Sequence, residues 1–125
     1  MYFEITTSNG VPVYEQVYRQ VAFSIANGII ASGDLVPSVR ALAKDLAINP
    51  NTVARAYREL QAQGVLEVVR GSGMLVTKTA RTKCKSIRSN VLKLQISSIV
   101  DEARRSQLSD DEIREFLENK LKKKR

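Results

Sequence analysis

Pro37-Ser38-Val39-Arg40-Ala41-Leu42-Ala43-Lys44-Asp45-Leu46-Ala47-Ile48-Asn49-Pro50-Asn51-Thr52-Val53-Ala54-Arg55-Ala56-Tyr57-Arg58-Glu59-Leu60-Gln61-Ala62-Gln63-Gly64 is the stretch that decides the fold. It reads as two helices separated by a turn of about four residues. Ser38 is a good N-cap, and Val39, Leu42, Ala43 and Leu46 recur at the steps of a buried helical face. Asn49 caps the second helix, and Pro50 suits its first position, where a missing N–H would be unpaired anyway. Val53, Ala56, Tyr57 and Leu60 share one side of that helix. At about 100° per residue, Asn51, Arg55, Arg58 and Glu59 share the other. Gly64 ends it.

Upstream, Tyr14, Val17, Val21 and Ile25 mark one face of an earlier helix, with Pro12 in its first turn and Asn27-Gly28 as its stop. A short strand is expected at Tyr2–Thr6. Ile29 to Pro37 reads as a connection turning at Gly33-Asp34. Downstream, Val65–Arg70 and Met74–Thr77 are short aliphatic runs joined by Gly71-Ser72-Gly73, the pattern of a hairpin. Three helices followed by a hairpin is the order of a winged helix-turn-helix, whose third helix enters the major groove of DNA. Arg55 and Arg58 can donate to guanine or phosphate, and Asn51 can pair with adenine or a phosphate. The hairpin tip lacks bulky side chains, so its backbone can approach a duplex closely. Each feature alone has a plainer reading, as a solvated helix face or an ordinary turn. Their order within one short stretch is what points to DNA.

Lys78 to Lys85 shows no periodicity and is expected to be a linker. From Ser86 to about Ser106 two apolar tracks run along a helix: Ile87, Val91 and Leu94, and Leu92, Ile96, Ile99 and Ala103. Ser109-Asp110-Asp111-Glu112 is a capping-box pattern that starts a last helix carrying Ile113, Phe116, Leu117 and Leu121. Two helices cannot cover that many apolar faces by themselves, so these residues are expected to pair with a second copy of the chain. The expected fold class is mainly α (α+β). Residues 1–78 form a winged helix-turn-helix DNA-binding domain, and 79–125 form a linker and two-helix dimerisation segment. A chain cut after Lys78 is then expected to remain a folded monomer.

Bulk properties narrow the function classes. The net charge of +7 is unevenly placed: residues 1–67 hold five Lys/Arg and six Asp/Glu, whereas 68–100 hold seven Lys/Arg and no acid. The basic block from Arg70 to Lys93 suggests a polyanionic partner. There is no histidine and one cysteine, Cys84, so no His-based catalysis, Cys-rich zinc site or intrachain disulfide is expected. No phosphate-cradling glycine loop is complete. No catalytic residue, metal or cofactor is expected. No run approaches the roughly 20 apolar residues of a membrane span, and no signal peptide is visible, so a cytoplasmic protein without a membrane partner is expected. The near-neutral count over 1–67 favours one alternative, a winged-helix module that binds protein or RNA.

The residues also resemble the GntR family of bacterial regulators, and within it the compact YtrA-like branch. Val13-Tyr14-Glu15-Gln16-Val17 is similar to the family's first helix, and Gly33-Asp34-Leu35-Val36-Pro37-Ser38-Val39-Arg40-Ala41-Leu42-Ala43 to its glycine-aspartate to proline-serine signature. Ile48 to Leu60 resembles its recognition helix. Gly64-Val65-Leu66 leading to Arg70-Gly71-Ser72-Gly73 resembles its wing. The resemblance implies a homodimer on a palindromic double-stranded operator. It implies contacts from Ser38, Arg40, Asn49, Asn51, Thr52 and Arg55, and from the wing tip at Gly71 and Gly73, where the neighbouring Arg70 and Ser72 are also expected to meet DNA. It also implies a repressor, commonly of an ABC-transporter operon, and leaves any small-molecule effector unknown. Two positions depart from the pattern. Ala47 stands where the family usually has Gly, and Pro50 where some branches carry a basic residue whose base contact cannot be carried over. Only 47 residues follow Lys78, too few for a metabolite-binding domain and in keeping with a two-helix tail.

Overall fold

The computed structural model describes residues 5–6, 10–69, 71 and 73–123. Its elements run α1 (Val13–Ala26), β1 (Leu35–Val36), α2 (Val39–Leu46), α3 (Pro50–Ala62), β2 (Leu66–Val69), β3 (Gly73–Val76), α4 (Ala80–Arg105) and α5 (Asp110–Lys122). This is a winged helix-turn-helix, mainly helical, with a small antiparallel sheet ordered β1-β3-β2. The chain divides into one compact unit up to Arg88 and a second from Ser89 onward.

In the first unit the capping residues act as their sequence predicts. Ser38 Oγ accepts from Ala41 N at 3.1 Å, and Asn49 Oδ1 accepts from Asn51 N at 2.8 Å. Between these caps α2 ends on Ala47, which is left-handed with φ 56. That conformation lets Ile48 N reach back to Ala43 O at 3.0 Å, closing α2 in the manner usually left to glycine. The turn between the two helices is therefore tight because Ala47 accepts a backbone that opposes its own Cβ.

α1 and α3 face each other through Val17, Val21, Ile25, Val53, Ala56 and Leu60, all buried. Tyr57 crosses this core and donates its hydroxyl to Pro37 O at 2.7 Å, tying α3 to the entry of α2. Its burial pushes the phenol above its ordinary range. Gln16 is the buried polar residue of α1. Its amide accepts from Thr6 N at 2.9 Å and donates to Thr6 O at 2.5 Å and Val11 O at 2.9 Å. The expected strand at Tyr2–Thr6 falls largely on residues outside those described. Ile5 and Thr6 are irregular, with Ile5 packed against the core.

Two expectations are corrected. Ile29–Pro37 contains a strand, β1, whose Leu35 and Val36 pair with Leu75 and Met74 of β3. Two residues are too few to show alternation, so the strand was invisible as a pattern. More consequentially, Lys78–Lys85 is not a linker. α4 begins at Ala80, and Ala80 and Cys84 are both 0% exposed within the core, with Ile87 packed against it. The three lie at steps of four and three. Small side chains at two of them, flanked by Arg81, Lys83 and Lys85, hid the stripe. Ile87, read as a dimerisation residue, belongs to this packing.

The basic residues of the same stretch serve helix ends. Neither α1 nor α3 has a basic residue in its last turn. Arg88 Nη1 donates to Asn27 Oδ1 at the C-cap of α1, and the Arg81 guanidinium lies beside Gly28. Lys83 Nζ lies over Gly64 at the end of α3, where an added Cβ would collide with it. Cations there complement the partial negative charge of the helix C-termini. Part of the block read as facing a polyanion thus faces the fold itself.

In the second unit, α5 starts on a complete capping box: Glu112 N donates to Ser109 Oγ at 3.1 Å, and Ser109 N to Glu112 Oε1 at 3.0 Å. The Ser109 backbone N–H, and after it the Ser109 hydroxyl, hold the Glu112 carboxyl below its ordinary range. No residue of α5 is buried.

Candidate nucleic-acid interface

Ser38, Arg40, Asn49, Asn51, Arg55 and Arg58 are all exposed, and Thr52 is half-buried. They come from two adjoining stretches, the start of α2 and the first turns of α3. The short turn that Ala47 permits holds these stretches together. Ser38 and Asn49 each use one oxygen as a cap, which leaves the Ser38 hydroxyl proton and the Asn49 amide NH₂ able to donate outward. Asn51, Arg55 and Arg58 occupy the side of α3 opposite Val53, Ala56, Tyr57 and Leu60. Among the described residues no carboxylate pairs with Arg40, Arg55 or Arg58. Glu59, which the helical wheel placed among them, is half-buried and raises the pKa of Tyr18, whose main perturbation is burial.

The wing is built by β2 and β3 in antiparallel register, Leu66 opposite Val76 and Val69 opposite Gly73. Gly71 and Gly73 are both exposed with positive φ, 79 and 97. Nothing lies within 4 Å of where a Cβ would stand at either, so glycine is required there by backbone conformation. Arg70 and Ser72 lie outside the described residues.

One contact was missed by sequence reasoning. The Arg55 guanidinium carbon lies 3.6 Å from the centroid of the Tyr14 ring. Its spacing makes Tyr14 an apolar residue of α1; in the fold it is half-buried, with a ring face turned to a cation. The available signal was the presence of one aromatic residue at the start of α1 and an arginine on α3, but spacing within a helix cannot reveal a pair between helices.

The residues assigned to dimerisation in the second unit are not gathered into a core. Val91, Ala103 and Ile113 are half-buried, while Leu92, Leu94, Ile96, Ile99, Phe116, Leu117 and Leu121 are exposed, Leu94 by 71% and Leu121 by 83%. Ile99, Ala103, Leu108, Ile113, Phe116 and Leu117 line an open apolar trough of about 440 Å³. Among the described residues no group of His, Cys, Asp or Glu could hold a metal, and no helix is long and apolar enough to cross a membrane.

A helix-turn-helix with an exposed basic face free of ion pairs among the described residues on its second helix, and a glycine-tipped wing, defines a DNA-binding transcription regulator. Comparison with known proteins makes the class specific: residues 13–76 match the model of the bacterial regulatory proteins of the gntR family, and the chain belongs to that family. It is 32% identical over 114 residues to the HTH-type transcriptional repressor YtrA of Bacillus subtilis, covering 91% of this chain and 88% of that one. The fold matches a GntR family transcriptional regulator from Listeria monocytogenes with TM-score 0.74 and 26% identity, over 90% of this chain and 98% of that one. The DNA-binding domain of AraR, solved in complex with operator ORX1, matches over 62% of this chain and 93% of its own, with TM-score 0.53 and 25% identity. These relatives are regulators rather than enzymes, and the similarity to YtrA runs through both units.

Proposed function

We propose that this chain is a cytoplasmic repressor that binds a palindromic operator as a homodimer, and that its target is an ABC-transporter operon. The observation that carries the DNA reading is the exposed face of α3, which presents Asn51, Arg55 and Arg58 with neither arginine in an ion pair with a carboxylate among the described residues. Arg55 and Arg58 read base edges or clamp phosphate, Asn51 and Thr52 fix the register, and Ser38, Arg40 and Asn49 anchor the backbone alongside. The wing, Arg70 to Gly73, lies along the adjacent duplex. Repression is supported by the similarity to YtrA, whose name describes a repressor. The transporter target rests on the family resemblance.

The homodimer is supported by the apolar side chains that the second unit leaves uncovered, including Leu94, Ile96, Ile99 and Phe116. A second copy seated on them would bury an apolar surface of the kind that obligate interfaces use. Its two-fold axis would place two recognition helices about 34 Å apart or a multiple of that, on two half-sites. Joining two half-site binders raises affinity by roughly 10²–10⁴ through effective concentration.

The test is selection of duplexes from a randomised pool, followed by titration at several salt concentrations and sedimentation of the free protein. An inverted repeat among the selected duplexes, a steep loss of affinity with salt and a dimer at micromolar concentration are expected. A monomer, or selected sites without two-fold symmetry, would overturn the dimer. Affinity insensitive to salt would overturn the phosphate contacts.

A further inference from the structure

We infer that Tyr14 is the positioning residue for Arg55: its ring is a platform that holds the guanidinium in the orientation used to read DNA, and the stack persists in the complex. The inference rests on the proposal that Arg55 meets the duplex. Arg55 is exposed, and a free arginine at such a site would sample many rotamers. Instead its guanidinium carbon sits 3.6 Å from the ring centroid, the separation of a stacked cation–π pair.

Two features suit the platform to its task. Tyr14 is in the first turn of α1, and α1 packs on α3 through Val17, Val21, Val53 and Leu60, all 0% exposed. The ring therefore rides on the same rigid core that carries α3. Moreover, no carboxylate among the described residues pairs with Arg55. A carboxylate would compete with phosphate and base for the N–H donors. An aromatic face holds the cation through its plane and leaves the N–H edges directed outward for acceptors. The duplex would also exclude water from the stack, where such contacts strengthen.

The experiment is a double-mutant cycle on the full-length chain, titrated with the tightest duplex selected by the wild-type protein. Tyr14→Leu, close in bulk but without a π face, should weaken binding about fivefold, the factor of a cation–π contact of about 1 kcal/mol. Tyr14→Phe, which keeps the ring, should bind within about twofold of wild type. In the Arg55→Ala background, Tyr14→Leu should have no further effect. Equal losses in both backgrounds would overturn the inference, because Tyr14 would then act on the fold or through its own contact. A Phe variant as weak as the Leu variant would transfer the role to the hydroxyl and overturn it as well. Tighter binding by Tyr14→Leu would mean that the stack restrains Arg55 from DNA. If Arg55→Ala alone leaves affinity unchanged, it is the underlying contact that fails, a result distinguishable from the others.

A measurement on wild-type protein does not depend on the folding of any variant. The Arg55 Nε–H resonance should be displaced by the Tyr14 ring current, and should stay displaced when the duplex is added. Its return on binding to the range of unstacked arginines would overturn the persistence of the stack.

Discussion

Cutting the chain after Lys78 should destabilise the winged domain rather than release it intact. The cut removes Ala80 and Cys84, both fully buried, and the half-buried Ile87. One methyl, one small thiol-bearing side chain and about half an isoleucine are together worth roughly 3 kcal/mol of burial, at ~0.8 kcal/mol per buried carbon. The exposed Arg81 and Lys83 and the half-buried Arg88 are lost from the helix ends as well, a smaller effect after solvent screening. A single core of this size rarely supplies more than about 5 kcal/mol, so the remainder would be marginal. The assay is urea unfolding of chains ending at Lys78 and at Lys93, the second of which keeps every buried residue of α4. With a slope near 1 kcal/mol per molar urea for so small a domain, the shorter chain should unfold about 2–3 M earlier. Coincident midpoints would refute the assignment of Ala80–Arg88 to the winged core.

Three further outcomes are expected. Ala47→Gly should stabilise the protein by about 0.5–1 kcal/mol, because φ 56 strains any residue with a Cβ; a calorimetric rise of several degrees is expected, and an unchanged or lower Tm would contradict it. Arg40→Ala should weaken selected and unrelated duplexes alike and lower the salt slope by roughly 1, as for a phosphate contact; a loss confined to the selected duplex would reassign it to base reading. Cys84 is fully buried and its thiol is pushed up to about 11 by that burial, so at pH 8 a disulfide reagent should label it only as fast as the core opens. Immediate labelling in native buffer would place the thiol outside the core.

The helix-turn-helix was legible because its signals are local. Ser38, Asn49, Pro50 and Gly64 act within one or two turns of themselves, and the apolar steps of α2 and α3 are long enough to show their period. The wing was legible for the same reason, in two aliphatic runs about a glycine pair. What escaped was decided at a distance. β1 exists because Leu35 and Val36 find β3, some forty positions later in the chain. The start of α4 is helical core because Ala80 and Cys84 are small enough to be wholly enclosed in it, and small residues among cations carry almost no hydrophobic signal. The Tyr14–Arg55 stack and the use of Arg81, Lys83 and Arg88 at helix ends are likewise contacts between elements. A net positive block announces cations, not what they face.

The amide of Gln16 joins the segment before α1 to the helix by taking one hydrogen and giving two. Only an amide can do both there. Glutamate has almost the same shape and is one base change away in the genetic code. It would turn a carboxylate oxygen toward the carbonyls of Thr6 and Val11, both acceptors, in a buried place. Alanine would merely leave a gap and some unmet backbone groups. At this site, then, the substitution that similarity tables rank as mildest is physically among the harshest. Drift away from glutamine would have to avoid its nearest chemical neighbour.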